Sequence, residues 1–325
     1  MSAATSIPKP FLALTKSKAE SERRPVPTMP DMKIGIQLPE VERPVTWKEI
    51  REIALTSEQC GFDSVWVGDH LLFRDDTTGT RGPWEAWSML AALGEATERV
   101  EIGPLVAATS FHSPAMLAKK AATVDDISGG RLVLGLGAGW NKAEYNAFGF
   151  AYDRRVARFE EAFTIIRTLI RAGSIDFDGE FYTHKEMELL PRARADMKLM
   201  VGSNGPRMLR IAAPHVDMWN TWHVWFGNRV AGLEPLVAEL EAACADVGRD
   251  PSEIEKTAAV YIQLERGTGR AAGSEDRSQA GPISGPEIAD RVAEFAEAGM
   301  SHIQVVLDPI DAAAVEELAV ILGRA

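Results

Sequence analysis

Eight times between residue 33 and the end of the chain, a short apolar run gives way to a stretch with helical periodicity. Such alternation is the signature of parallel βαβ units, whose strands are buried on both faces. The runs fall at 33–38, 62–67, 100–108, 131–137, 198–202, 217–221, 255–264 and 302–307. Doubly wound open sheets usually stop near six strands. Eight therefore predict closure into an α/β fold of the (β/α)8 barrel type, with insertions. The 325 residues exceed the roughly 250 of a typical barrel, so a single barrel domain over 32–325 is expected.

The intervening stretches carry helix punctuation. Thr46 and Glu49 have capping-box spacing before a helix with Trp47, Ile50, Ile53 and Ala54 on one face, stopping at Gly61. Ser113 reads as a cap and Pro114 as the first helical residue of another, with Leu117, Ala118, Ala121 and Val124 inward. Further inward faces are Phe159, Phe163, Ile166 and Ile170, then Leu236, Leu240, Cys244 and Val247, then Val315, Leu318 and Leu322. Residues 173–197 are an insertion expected to hold a small hairpin, and 266–285 read as a mobile Gly- and Ser-rich loop. Residues 1–31 lack periodicity and read as a disordered tail, with Met32 standing directly before the first strand.

Composition removes several classes of function. A net charge of −12 repels nucleic-acid phosphates and anionic lipid, so neither is an expected partner. It also gives an anionic cofactor no long-range attraction, so local backbone dipoles and a few basic side chains must hold any phosphate. No apolar run approaches the roughly 18 residues of a membrane span. The two cysteines, Cys60 and Cys244, form no disulfide framework, which fits a reducing cytoplasm. The chain has no H-x-H, H-E-x-x-H or C-x-x-C spacing, so no metal site is expected, and no G-x-S-x-G elbow for serine hydrolysis.

In a barrel of this type the loops after the strands build the active face. After the second strand come Asp69 and His70. His70 reads either as a rim histidine suited to proton transfer or as a structural one, and Asp69 either orients it or caps the loop. After the fourth strand, the run GLGAG (135–139) precedes Trp140, Asn141 and Tyr145. The spacing does not match a dinucleotide fingerprint, and the glycines suit close approach of a flat ring. The aromatics either stack on that ring or cover the mouth. After the fifth strand, Gly202, Ser203, Asn204 and Gly205 precede Pro206, exposing amides at a helix start as an anion site or forming an ordinary tight turn. After the sixth, Trp219, Trp222, His223, Trp225 and Phe226 cluster as core or as a substrate wall, with Trp222 and His223 the candidates for a pocket. His112 reads as a surface residue, and His184, His215 and His302 as structural ones.

The segments FDSVWVGDH (62–70), SPAMLAKKAATVDDISGGRLVLGLGAGWNKAEYNAFGF (113–150), RVARFEEAFTIIRTLI (155–170), DGEFYTH (178–184) and 202–220 resemble the luciferase-like monooxygenase superfamily. The pattern is most similar to its branch of coenzyme F420-dependent oxidoreductases. The resemblance spans most of 32–310 and implies a TIM barrel that binds F420 or FMN at its C-terminal mouth. It implies that His70 faces the cofactor ring and that a non-prolyl cis bond falls at Leu105–Val106, backing the ring. Ser203, Asn204 and Gly205 would receive the phosphate, and Gly137, Trp140, Asn141 and Tyr145 would line the ring and ribityl chain. His112 stands where relatives commonly carry Arg, which weakens a tail contact there. Trp140 replaces the catalytic Glu of the sugar-phosphate-oxidising F420 enzymes, which argues against that activity.

Three functions follow as expectations. The first is hydride transfer between F420 and a small organic substrate. The second is an FMN-dependent monooxygenase fed with reduced flavin by a separate reductase, the protein supplying position and polarity in both. The third is a flavin-binding protein without catalysis. The resemblance also leaves open a homodimer and a partner F420 reductase.

Overall fold

The computed structural model describes residues 32–75, 79–269 and 281–324. The expected tail at 1–31 and residues 270–280 of the expected loop lie outside them. The barrel strands are β1 (Lys33–Gln37), β2 (Ser64–Val67), β3 (Glu101–Pro104, with a second segment Ala107–Ala108), β4 (Val133–Gly137), β5 (Lys198–Gly202), β6 (Met218–Trp222), β7 (Glu255–Gln263) and β8 (His302–Asp308). The spatial order is β3-β2-β1-β8-β7-β6-β5-β4-β3, which closes the ring. Neighbouring barrel strands pair in parallel.

Closure runs through β3. Its first segment pairs with β2 and its second with β4, with Leu105 and Val106 between them. The continuous strand expected over 100–108 is therefore interrupted, and the Leu105–Val106 peptide is cis, as the resemblance implied.

Nine α-helices among the described residues lie between or after the strands: α1 (Trp47–Gln59), α2 (Ala86–Ala96), α3 (Pro114–Ile127), α4 (Lys142–Phe148), α5 (Arg155–Arg171), α6 (Pro206–Ala212), α7 (Glu234–Ala245), α8 (Ile288–Glu297) and α9 (Ala312–Ile321). At α1, Thr46 accepts from the Glu49 amide at 3.3 Å, while the Glu49 carboxylate turns to Arg43. The four expected apolar residues of α5 are fully buried, each contributing about 1.5–3 kcal/mol. Three expectations fail. Trp47, read with Ile50, Ile53 and Ala54 on one face of α1, is 36% exposed at the helix start. Ser113 makes no side-chain cap bond, because Pro114 already presets the first turn. Val247 is 45% exposed, because α7 ends at Ala245 and Gly248 turns the chain away. The insertion does form an antiparallel hairpin, Ser174–Asp178 with Thr183–Glu188. No helix of the described residues is long and apolar enough to cross a membrane.

Strand alternation sorts the core into two sets. Ile34, Ile36, Val65, Leu134, Leu136, Leu199 and Val201 face the helices. Trp66, Val133, Met200, Met218, Ala259, Tyr261 and Val306 fill the barrel. Trp66 needs glycine neighbours: a methyl at Gly35 would stand 2.8 Å from its Nε1, and one at Gly103 2.7 Å from its Cζ3. Below it lies a buried polar layer. The Trp66 indole donates to Ser64 Oγ at 2.7 Å, and Ser64 Oγ meets His302 Nε2 at 2.8 Å. Asn220 Nδ2 donates to Thr257 Oγ1 and to Gln304 Oε1. Burial pushes His302 down to about 3, helped by Lys33, Lys198 and Arg324. A neutral structural imidazole results.

Candidate functional site

His70 follows β2 at the C-terminal end of the barrel, with its side chain 21% exposed. Its ring lies 4.5 Å from Phe73 and 5.6 Å from Trp140, centroid to centroid. Nδ1 stands 3.0 and 3.1 Å from the two carboxylate oxygens of Glu144. Among the described residues Nε2 has no hydrogen bond.

Three buried carboxylates surround this histidine. Glu144, on α4, is 1% exposed, and its Oε1 also accepts from the amides of Leu71 at 2.6 Å and Leu72 at 3.3 Å. Glu40, just beyond β1, is 7% exposed. It lies so close to Gly68 that a methyl there would stand 1.5 Å from its Oε1. Asp69 is 4% exposed. Burial alone would lower the His70 pKa, but Glu40, Glu144 and Asp69 together outweigh it, and the imidazole titrates above its ordinary value.

Asp69 acts on His70 through charge only. Its hydrogen bonds go elsewhere: Oδ2 accepts from the Ala108 amide at 2.9 Å and meets His112 Nε2 at 2.8 Å. His112 is thus no surface residue. It is 9% exposed and packs edge-on to Trp87, so it joins the end of β2 to the second segment of β3. A carboxylate one residue before the rim histidine has finished its bonds before it can orient that histidine.

The glycines of β4 and β5 have a different reason from the one expected. The interruption in β3 turns Val106 toward the barrel. A methyl at Gly137 would stand 2.8 Å from its Cγ2, and one at Gly202 2.9 Å from both its γ-carbons. A methyl at Gly135 would meet Val106 at 2.9 Å and the Pro104 carbonyl at 2.3 Å. The glycines form a socket for Val106, and Val106, half-buried, is what the mouth presents there. Leu105 is buried in the interior cluster.

One expected ring contact is corrected. Tyr145 is fully buried, its hydroxyl donating to the Ala138 carbonyl at 2.7 Å, and it packs on Phe111 behind the strands. It stacks on nothing in the mouth. Asn141 is committed at both ends of its amide: Oδ1 caps α4 at the Ala143 amide, and Nδ2 donates to the Leu72 carbonyl. Trp140, by contrast, is 43% exposed.

After β5, Ser203 and Asn204 are half-buried and Gly205 is exposed. The helix that follows has only seven residues, so its dipole is short and any anion would rely on loop groups. Asn204 Nδ2 donates to Thr221 Oγ1 at 3.0 Å, and its Oδ1 is buried without a partner. After β6 the aromatic cluster divides. Trp219 is core, Phe226 packs on Phe295, and Trp225 is 64% exposed. Trp222 and His223 lie together with centroids 5.0 Å apart, and His223 lies 5.5 Å from Tyr261. These three form a wall at the ends of β6 and β7, opposite β2 in the ring.

Sequence reading missed Glu40 and Glu144. Glu40 follows the first strand at the active face, a position that alone could have flagged it. Glu144 stands three residues after the helix cap Asn141, the spacing of a surface capping box. Only the packing of α4 on the 70–72 segment turns it inward. Among the described residues no group of three or more His, Cys, Asp or Glu could hold a metal ion.

The chain is similar over 183 residues to the 5,10-methylenetetrahydromethanopterin reductase of Archaeoglobus fulgidus, at 32% identity, covering 56% of this chain and 50% of that protein. It is 31% identical over 211 residues to the pyrimidine monooxygenase RutA of Rhizobium rhizogenes, covering 62% and 57%. The chain spans about half to two thirds of the length of the curated relatives it matches. Its fold is similar to that of an F420-dependent secondary alcohol dehydrogenase solved with an F420–acetone adduct, at a TM-score of 0.75 and 19% identity, covering 90% of this chain and 99% of that one. Monooxygenase RslO1 from Streptomyces bottropensis gives a TM-score of 0.72 at 21% identity, covering 90% and 98%. The family model for luciferase-like monooxygenases matches residues 32–273, through the first seven of the eight strands and the carboxylate-ringed histidine described above, and the chain belongs to that family.

Proposed function

We propose that this chain is an oxidoreductase that transfers hydride between coenzyme F420 and a small organic substrate at the C-terminal mouth of its barrel. The observation that carries the reading is His70: a rim imidazole whose Nδ1 is engaged by a buried carboxylate and whose Nε2 has no hydrogen bond among the described residues. A relative named for F420 chemistry, an F420-dependent glucose-6-phosphate dehydrogenase 32% identical over 170 residues, supports it.

The residues present fit a deazaflavin. Half-buried Val106 offers an apolar contact at the mouth, and exposed Trp140 an aromatic face beside His70. The orphaned Oδ1 of Asn204 is an acceptor, which suits a ribityl hydroxyl rather than a phosphate. Gly202, Ser203 and Gly205 would supply the loop groups for the phosphate. The coenzyme, when bound, supplies hydride transfer at one ring carbon. The chain's part is to hold a proton at His70 Nε2 for the substrate heteroatom and to shape the pocket with Trp222 and His223.

A second reading, an FMN-dependent monooxygenase supplied by a separate reductase, is favoured by the likeness to pyrimidine monooxygenases. The wall of Trp222, His223 and Tyr261 suits it, because that chemistry needs an enclosed apolar space. Equilibrium titration of the purified chain with F420 and with FMN separates the two. Micromolar or tighter F420 binding is expected; FMN binding with no F420 binding reverses the assignment.

A further inference from the structure

We infer that Glu144 is a positioning residue that confines the exchangeable proton of His70 to Nε2 and ties that proton to the backbone of the loop after β2. The inference rests on the reading of His70 above.

One carboxylate, 1% exposed, accepts from three donors on three successive residues: the His70 ring, the Leu71 amide and the Leu72 amide. The cap of the same short helix, Asn141, donates from Nδ2 to the Leu72 carbonyl at 2.9 Å. Helix α4 therefore grips this segment from both its donor and its acceptor side. Two neutral amides poorly compensate a carboxylate taken out of water, and a protonated imidazole supplies the missing countercharge.

The geometry also selects a tautomer. A nitrogen 3.0 Å from a carboxylate oxygen must carry the hydrogen, because two acceptors would repel. Nδ1 keeps its proton in both charge states. The proton that comes and goes sits on Nε2, which has no protein partner among the described residues. In the direction of substrate reduction this N–H is given up to the substrate heteroatom as hydride arrives at carbon. In the reverse direction the bare Nε2 takes the hydroxyl proton as hydride leaves. Glu40 and Asp69 add negative potential, and Phe73 and Trp140 lie against the ring.

The test is nitrogen NMR of His70 in the full chain, without cofactor. Above its midpoint, wild-type His70 should show the Nδ1–H tautomer, and an Nε2–H tautomer overturns the inference. Glu144→Gln should move the midpoint down by about one pH unit or more, and Glu144→Asp should recover part of that shift. An unmoved midpoint in a folded Glu144→Gln chain also overturns it. If Glu144→Gln does not fold, the wild-type tautomer still decides. Given turnover with F420, Glu144→Gln should shift the pH profile the same way and lower kcat about tenfold or more, with KM little changed. Absence of F420 turnover in the wild type refutes the functional reading and leaves the tautomer result standing.

Discussion

Val106 and Gly137 share one space: a single methyl on Gly137 would stand 2.8 Å from Cγ2 of the valine, closer than carbon atoms pack. Valine cannot swing aside, because its β-branch restricts it to few rotamers. Gly137→Ala should therefore destabilise the chain by about 1–3 kcal/mol, read as a lower urea midpoint. Gly137→Ala with Val106→Ala should cost less than the sum of the two single changes. Additive costs would show that the two residues do not press on each other.

Asp69 Oδ2 is the acceptor for the first amide after the β3 interruption that is tied back to β2. Asp69→Ala would leave the Ala108 amide and His112 without that acceptor, at a cost of about 1–3 kcal/mol. Hydrogen exchange at Ala108 should accelerate before that of β7 or β8. Uniform acceleration across the barrel would place the defect elsewhere.

His302 takes no proton in the fold until about pH 3, whereas the unfolded chain takes one near 6.5. Its contribution is intact above 6.5 and is lost as pH falls from there toward 3, at about 1.4 kcal/mol per pH unit. His302→Gln should flatten the stability profile between pH 6 and 4 by that slope. Parallel profiles for the two chains would refute the buried neutral state.

His70 behaves in the opposite sense. Its folded value lies above the ordinary 6.5, so the fold favours the protonated form. That stabilisation is complete below 6.5 and fades as pH rises through the raised folded value. Urea midpoints of wild type and His70→Gln should converge as pH rises across this window; a gap that widens with pH would be incompatible with the carboxylate ring.

Turnover offers a second check on the same residue. His70→Ala should lower kcat about 10²–10⁴-fold with either cofactor while the coenzyme still binds. Unchanged turnover would remove His70 from the chemistry, and binding with no turnover in the wild type would favour a flavin carrier.

Most of the barrel was legible because its signals are local. Short apolar runs, period-3.6 patterning, Gly stops and the Pro114 start mark eight strands and their helices within a few residues. The site was legible in outline for the same reason, since His70 and Trp140 follow strand ends. Its wiring was not. Tyr145, Asn141 and His112 look like mouth or surface residues in sequence and are tied to protein hydrogen-bond partners in the fold.

What the chain's own order of residues determined is the succession of elements and which strand ends carry the candidate polar and aromatic residues, because backbone propensity and side-chain periodicity act over a few residues. What only the tertiary structure decided is who meets whom. Closing the ring through a broken β3 seats Val106 among glycines from two other strands, and packing α4 on a loop 73–74 residues earlier turns a cap-like Glu144 into the partner of His70. Those contacts depend on strand order and helix placement, which no local pattern encodes.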